Sequence, residues 1–222
     1  MAGGRYQASE NPGPPAEPMS LADLNAIIAA SGPLLTGTTH AVLGEGPVGA
    51  LAALVGEQPG DQEDRQGRPF VGPAGQLLDR AMAEAGLQRH QVYLTNAVKH
   101  FKFEQRGKRR IHQKPTAGEV RHYRWWLDQE LRLVHPHLVV ALGATAVLAL
   151  TGKALPISRF RGPADLVGRK GFITVHPSYL LRIPDRLAKA QAYRDFVDDL
   201  RSIRQLANET APASSLPQHR AK

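Results

Sequence analysis

Short apolar runs alternate with helical stripes along this chain, and the alternation limits the folds open to it. Residues 49–55 (GALAALV), 92–95, 138–142 (LVVAL) and 172–175 read as buried strands. Residues 74–85 put Leu77, Leu78, Ala81 and Met82 on one helical face and stop at Gly86. Thr116 and Glu119 form a capping box that opens a helix to about residue 134. A short helix ends at Gly152, and a last amphipathic one spans about 185–206. Upstream, Ser20 with Asp23 reads as an N-cap, with Leu21, Leu24, Ile27 and Ile28 on one stripe. Apolar strands separated by helices need a parallel sheet with both faces covered. The expected fold is α/β: three layers, α/β/α, around a mostly parallel central sheet.

The length of 222 residues suits one domain with tails. Residues 1–19, with Pro12, Pro14, Pro15 and Pro18, are expected to be a disordered tail. The ordered domain is expected at 20–207 and a second tail at 208–222. The chain has no cysteine. That excludes disulfides, a zinc ribbon, a thiolate-ligated iron–sulfur cluster and a cysteine nucleophile. No metal or other cofactor is expected. The first residues lack a basic segment followed by an apolar one. The longest apolar run, 138–150, is broken by Gly143 and Thr145 and is shorter than the roughly 20 residues of a membrane helix. The expectation is a cytoplasmic monomer with no membrane contact.

The formal net charge is +8. Most of it sits in one window, 99–124, where Lys99, Lys102, Arg106, Lys108, Arg109, Arg110, Lys114, Arg121 and Arg124 face only Glu104 and Glu119. The same window holds His100, Phe101 and Phe103. Cations that track phosphates, beside rings that stack on bases, suit a single-stranded nucleic acid. A solvated basic face is the plainer alternative.

In parallel sheets, ligands bind beyond the carboxyl ends of the strands. Those ends read Gly56-Glu57-Gln58-Pro59-Gly60, Asn96-Ala97-Val98-Lys99-His100, Gly143-Ala144-Thr145 and His176-Pro177-Ser178. A carboxylate, an amide, a histidine and the basic window thus gather at one edge.

At this point the residues resemble a known group. Gly56-Glu57-Gln58-Pro59-Gly60, Arg68-Pro69-Phe70-Val71-Gly72-Pro73-Ala74-Gly75, Thr95-Asn96-Ala97-Val98-Lys99 and His176-Pro177-Ser178 look like motifs of the uracil-DNA glycosylase superfamily. The resemblance spans roughly 41–205. Lys108-Arg109-Arg110-Ile111-His112 also resembles the insertion of the UdgX type, which excises uracil and stays joined to the abasic site through the loop histidine. UdgX and its thermophilic relatives bind a four-iron cluster, and here the chain departs from the pattern. The stretch before the first strand, 29–35, offers no thiolate, and His100 stands where the thermophilic relatives have a Cys. Leu34, Leu35 and the 21–30 helix are expected to pack where the cluster would sit.

The resemblance implies roles. Phe70 stacks on the flipped base and Asn96 reads its Watson–Crick edge. His176 donates to the uracil oxygen that gains charge. His112 is the nucleophile toward the sugar C1′, and Glu57 takes or orients its proton. Gln58 positions backbone or water near C1′. Lys108, Arg109 and Arg110 clamp the DNA backbone, and Ser178 and Arg182 hold phosphates. Asp61, Glu63 and Asp64 read as a solvated turn. Taken alone, Phe70 is a core aromatic, Asn96 an Asx turn and His176 a structural histidine before a Pro-Ser turn. The expected substrate is uracil-containing DNA, with single strands tolerated or preferred. Three alternatives stay open: a turnover glycosylase of broader base range, a non-catalytic sensor of uracil or abasic sites, and an unrelated nucleotide-binding enzyme. The last lacks a phosphate-binding glycine loop at any strand end.

Overall fold

A computed structural model describes residues 20–32 and 40–210 of the chain. The segments 1–19 and 211–222, most of the two expected tails, lie outside the described residues, as do Leu34 and Leu35. In chain order the elements are α1 (Leu21–Ala30), β1 (Ala52–Gly56), α2 (Asp61–Gln66), α3 (Pro73–Glu84), β2 (Val92–Asn96), β3 (Phe103–Arg106), β4 (Arg109–His112) and α4 (Ala117–Val134). Then follow β5 (Val139–Leu142), α5 (Ala144–Thr151), α6 (Ile157–Phe160), β6 (Gly162–Asp165), β7 (Lys170–Thr174), α7 (Pro177–Arg182) and α8 (Arg186–Thr210).

The central sheet runs β2-β1-β5-β7-β6. Its first four strands pair in parallel, and β6 joins antiparallel to β7. Side chains alternate between the two faces, as the period of a strand requires. Ala52 and Leu54 of β1 join a core with α3 and α8, whereas Ala53 and Val55 join one with α4 and α5. α1 lies against α4. The arrangement is the expected three layers. From β1 the chain crosses through α3 to β2 on one side, then through α4 to β5 on the other. Right-handed crossovers in opposite directions put α3 and α4 on opposite faces. The same reversal opens a crevice between the carboxyl ends of β1 and β5.

Several readings from sequence need correction. The first strand starts at Ala52 and not at 49, because Gly49 turns the chain at φ +72. The basic loop after β2 folds as a hairpin of β3 and β4, with Gly107 at φ +58 in its turn. The acids at 61–64 begin helix α2, with Glu63 and Asp64 buried. The edge strand β6, Gly-Pro-Ala-Asp, has none of the branched or aromatic residues that mark a strand. α8 continues to Thr210, into the segment read as a tail. Among the described residues, no helix is long and apolar enough to cross a membrane.

Candidate active site

The crevice between β1 and β5 opens into a cavity of about 1150 Å³. Glu57, Phe70, Asn96, His112, Thr145 and His176 line it together. Gln58, Ser178 and Arg182 also reach its wall, while Lys108, Arg109 and Arg110 do not. Parallel pairing sets this convergence: Gly56 is in register with Asn96, and Val55 with both Thr95 and Ala141.

Glu57 follows β1 directly, so its carboxylate stands at the mouth of the crevice. One oxygen, Oε1, lies 3.3 Å from His112 Nε2. The other, Oε2, accepts a hydrogen bond from Thr145 Oγ1 at 2.5 Å. Burial pushes the carboxyl pKa up, but the hydrogen bonds from His112 and Thr145 and the charges of His112 and His176 outweigh it. The net position is below the ordinary glutamate value, so Glu57 is a carboxylate at neutral pH. His112 ends β4 and is 50% exposed, so its ring is open to a ligand in the cavity.

The side of the cavity between Phe70 and Asn96 is built by close approach. A Cβ on Gly56 would collide with Asn96 Oδ1 and the Phe70 ring. A Cβ on Gly75 would collide with the Phe70 carbonyl. Both positions therefore admit only glycine without movement. Phe70 itself sits at φ +54, a left-handed conformation that a bulky residue adopts only when held. Arg89 holds it, donating to the Pro69 carbonyl at 2.8 Å and the Phe70 carbonyl at 3.3 Å while pairing with Asp79. Glu63 ties the flanking loops together, accepting from the amides of Gly60 (3.1 Å) and Gly72 (2.9 Å). The acid read as solvated is thus a fastener of the pocket wall.

His176 caps α7. Its Nδ1 lies 3.2 Å from the Ser178 amide, which donates to it, and 2.8 Å from Ser178 Oγ. Arg182 Nη1 in turn donates to Ser178 Oγ at 3.1 Å. An Nδ1 that accepts leaves the proton of a neutral ring on Nε2. Burial, the largest influence, holds the pKa down at about 4, against a pull upward from Glu57. At neutral pH the ring is an uncharged N–H donor. Ser178 and Arg182, expected from sequence to hold phosphates, are linked to this ring by hydrogen bonds.

The basic window divides on folding. Lys99 is buried and paired with Glu130, Lys102 pairs with Glu119, and Arg106 with Glu104. Arg110 turns inward, 12% exposed. Its Nε lies 2.5 Å from Asp61 Oδ1 and its Nη1 2.5 Å from Asp64 Oδ2. Its guanidinium covers the rings of Phe101 and Phe103, which stack on each other. These aromatics are hairpin packing and not free faces for bases, and Arg110 pins the hairpin to α2. Gln58 does similar work: its amide donates to the carbonyls of Lys102 and Gln113 and accepts from the Lys102 amide. Lys108 and Arg109 are exposed, with no acidic partner among the described residues. His100 is buried and its Nδ1 meets Tyr123 Oη at 2.7 Å.

Sequence reasoning assigned no role to Thr145 and read Asp61 and Asp64 as a solvated turn, whereas both pair with Arg110. The signal for Thr145 was its place after the third strand; its partner lies 88 residues away, beyond the reach of local pattern.

Comparison with known proteins agrees with this geometry. Residues 43–201 match the uracil DNA glycosylase superfamily. The chain is 41% identical over 153 residues to a type-4 uracil-DNA glycosylase of Thermotoga maritima, covering 68% of this chain and 76% of that protein. It is 34% identical over 179 residues to a type-4 uracil-DNA glycosylase of Sulfurisphaera tokodaii, covering 76% of each. A type-5 uracil-DNA glycosylase of Pyrobaculum aerophilum is 31% identical over 153 residues, 61% of this chain and 64% of its own. With a family match over residues 43–201 and the motif residues converging on one cavity, the chain belongs to the uracil-DNA glycosylase superfamily.

Proposed function

We propose that this protein is a uracil-DNA glycosylase of UdgX type, which excises uracil and then holds the abasic sugar covalently through His112. The observation that carries the reading is the 3.3 Å contact between His112 Nε2 and Glu57 Oε1 at the cavity mouth. A carboxylate beside an imidazole is the arrangement that activates a nitrogen nucleophile.

The steps use residues already placed. Phe70 stacks on the extruded base and the Asn96 amide pairs with its edge. As the C1′–N1 bond breaks, its electron pair leaves with the base, and the His176 Nε2–H stabilises the charge on the uracil oxygen. The imidazole lone pair forms a new N–C1′ bond, and Glu57 receives the imidazole's N–H proton. The product is a neutral N-linked sugar with no easy exit, so each molecule acts once. Exposed Lys108 and Arg109 contact DNA phosphates, and the reading takes single-stranded DNA as an accepted substrate. It takes the protein as a cytoplasmic monomer.

An iron–sulfur cluster of the kind that the resemblance implies needs thiolates, and the chain has no cysteine. The residues present do not fit such a group, and no step here passes through one.

The test is incubation with a uracil-containing oligonucleotide followed by a denaturing gel. A shifted band that survives heat and detergent is expected, and His112→Ser should abolish it while uracil is still released. Alkali-labile product with no shifted band would establish turnover instead. Intact substrate beside strong native binding would establish a sensor.

A further inference from the structure

We propose that Thr145 is a positioning residue for Glu57, its hydroxyl fixing one carboxylate oxygen so that the other faces His112. The inference rests on the catalytic reading of Glu57 given above and adds a residue to it. Thr145 lies in the first turn of α5, which follows β5, and Glu57 follows β1. The two strands are neighbours in register, so the sheet itself carries hydroxyl and carboxylate to the same crevice. The Oγ1 to Oε2 distance is 2.5 Å, and Thr145 is 5% exposed.

The hydroxyl has no local duty that would explain this bond. The N-cap of α5 is Gly143, with no side-chain cap, and Thr145 donates across the crevice and not along its own helix. Gly143 makes the placement possible: the chain turns there at φ +90, with the His176 Cβ only 3.0 Å from where a side chain would begin. A glutamate carboxylate at a cavity mouth otherwise rotates freely about its terminal bonds, and both oxygens compete for water. With Oε2 held, Oε1 keeps one direction. The arrangement follows the logic of a nucleophile, a base and a third group that orients the base. The titratable groups facing the carboxylate are His112 and His176, with Asp61, Glu63, Lys114, Arg161, Tyr179, Arg182 and Asp195 on the walls of the same cavity.

The experiment compares wild type with Thr145→Val, which keeps the shape and loses the hydroxyl, and Thr145→Ser, which keeps the hydroxyl. Single-turnover rates of adduct formation and uracil release are measured with excess protein from pH 4 to 8, beside affinity for uracil-containing DNA and the melting temperature. Thr145→Val should slow the reaction about ten- to a hundredfold. It should also move the acid limb of the pH profile upward, because a hydrogen bond that favours the carboxylate is gone, while affinity stays near wild type. Thr145→Ser should restore both rate and profile. If valine does not fold, Thr145→Ala is read in its place. A valine variant whose profile superimposes on wild type, or a serine variant that fails to rescue, overturns the proposal. Glu57→Gln separates the two levels: a slowed Glu57→Gln beside an unaffected Thr145→Val removes Thr145 alone. An unaffected Glu57→Gln removes the underlying reading and the proposal with it.

Discussion

Lys99 and Glu130 meet inside the protein, Nζ 2.5 Å from Oε2, with both side chains fully buried. Lys99 also donates to Thr95 Oγ1 at 2.6 Å, and Tyr93 Oη donates to Glu130 Oε1 at 2.9 Å. Thr95 Oγ1 lies within 3.1 Å of both Glu130 oxygens. Burying two charges is costly unless their remaining valences are answered, and here they are. Burial and the Glu130 charge push the Tyr93 pKa well up, so the phenol stays protonated and keeps donating. The network lies beneath β2, whose last residue is Asn96. A cation that composition assigns to nucleic acid thus anchors the strand that carries Asn96 to the cavity.

Lys99→Met should cost about 3–5 kcal/mol, since it leaves Glu130 buried without its cation. Lys99→Met with Glu130→Gln should recover about 1–3 kcal/mol, because the amide oxygen still accepts from Tyr93 and Thr95 with no unpaired charge. Urea unfolding midpoints at constant slope check both. Equal midpoints for the single and double variants would mean that the pair is not coupled.

Arg110→Met keeps the stem over Phe101 and Phe103 but takes the cation from Asp61 and the buried Asp64. A loss of about 2–3 kcal/mol is expected, with faster proteolytic nicking between residues 103 and 112. If the hairpin is held mainly by the Gln58 bonds, nicking will not change.

His176 makes stability depend on pH in a defined window. Its pKa in the folded protein is about 4, below the ordinary 6.5. As pH falls below 6.5 the unfolded chain takes up a proton that the folded one refuses, so stability is lost until pH reaches about 4. The total is on the order of 3 kcal/mol. His176→Asn should flatten the dependence between those limits, as measured by thermal unfolding across pH. An unchanged slope would show that another group carries it.

Lys108→Ala and Arg109→Ala should each reduce the salt dependence of binding to single-stranded uracil DNA. The log–log slope should become shallower by about 0.7 for each phosphate that is no longer neutralised. Fluorescence anisotropy titrations at several salt concentrations give the slope. An equal drop in affinity at every salt concentration would point to a distorted loop and not to the removal of a phosphate partner.

The strands and long helices were legible because their signals are local. A strand buried on both faces is apolar throughout, as 138–142 is, and a capped helix announces its start, as Thr116 and Glu119 do. The hairpin was not legible, because its residues are charged and no apolar alternation marks them; what holds it lies outside its own sequence, Asp61 and Asp64 on Arg110, Gln58 on the flanking backbone and Phe101 against Phe103. The edge strand β6 stayed hidden because its partner, not its composition, makes it a strand.

By itself, then, the sequence determined the layered fold and the strand ends where Glu57, Asn96 and His176 stand, since these follow from hydrophobic period and chain order. Only the tertiary structure decided which charges face solvent and which face each other. Lys99 and Arg110 read as members of one basic face, yet both are neutralised by acids at least 31 residues distant in sequence. The same is true of the link from Thr145 to Glu57. Burial turns a nearby opposite charge or hydroxyl into a strong constraint, and which groups become neighbours is set by strand pairing and helix packing, not by their spacing along the chain.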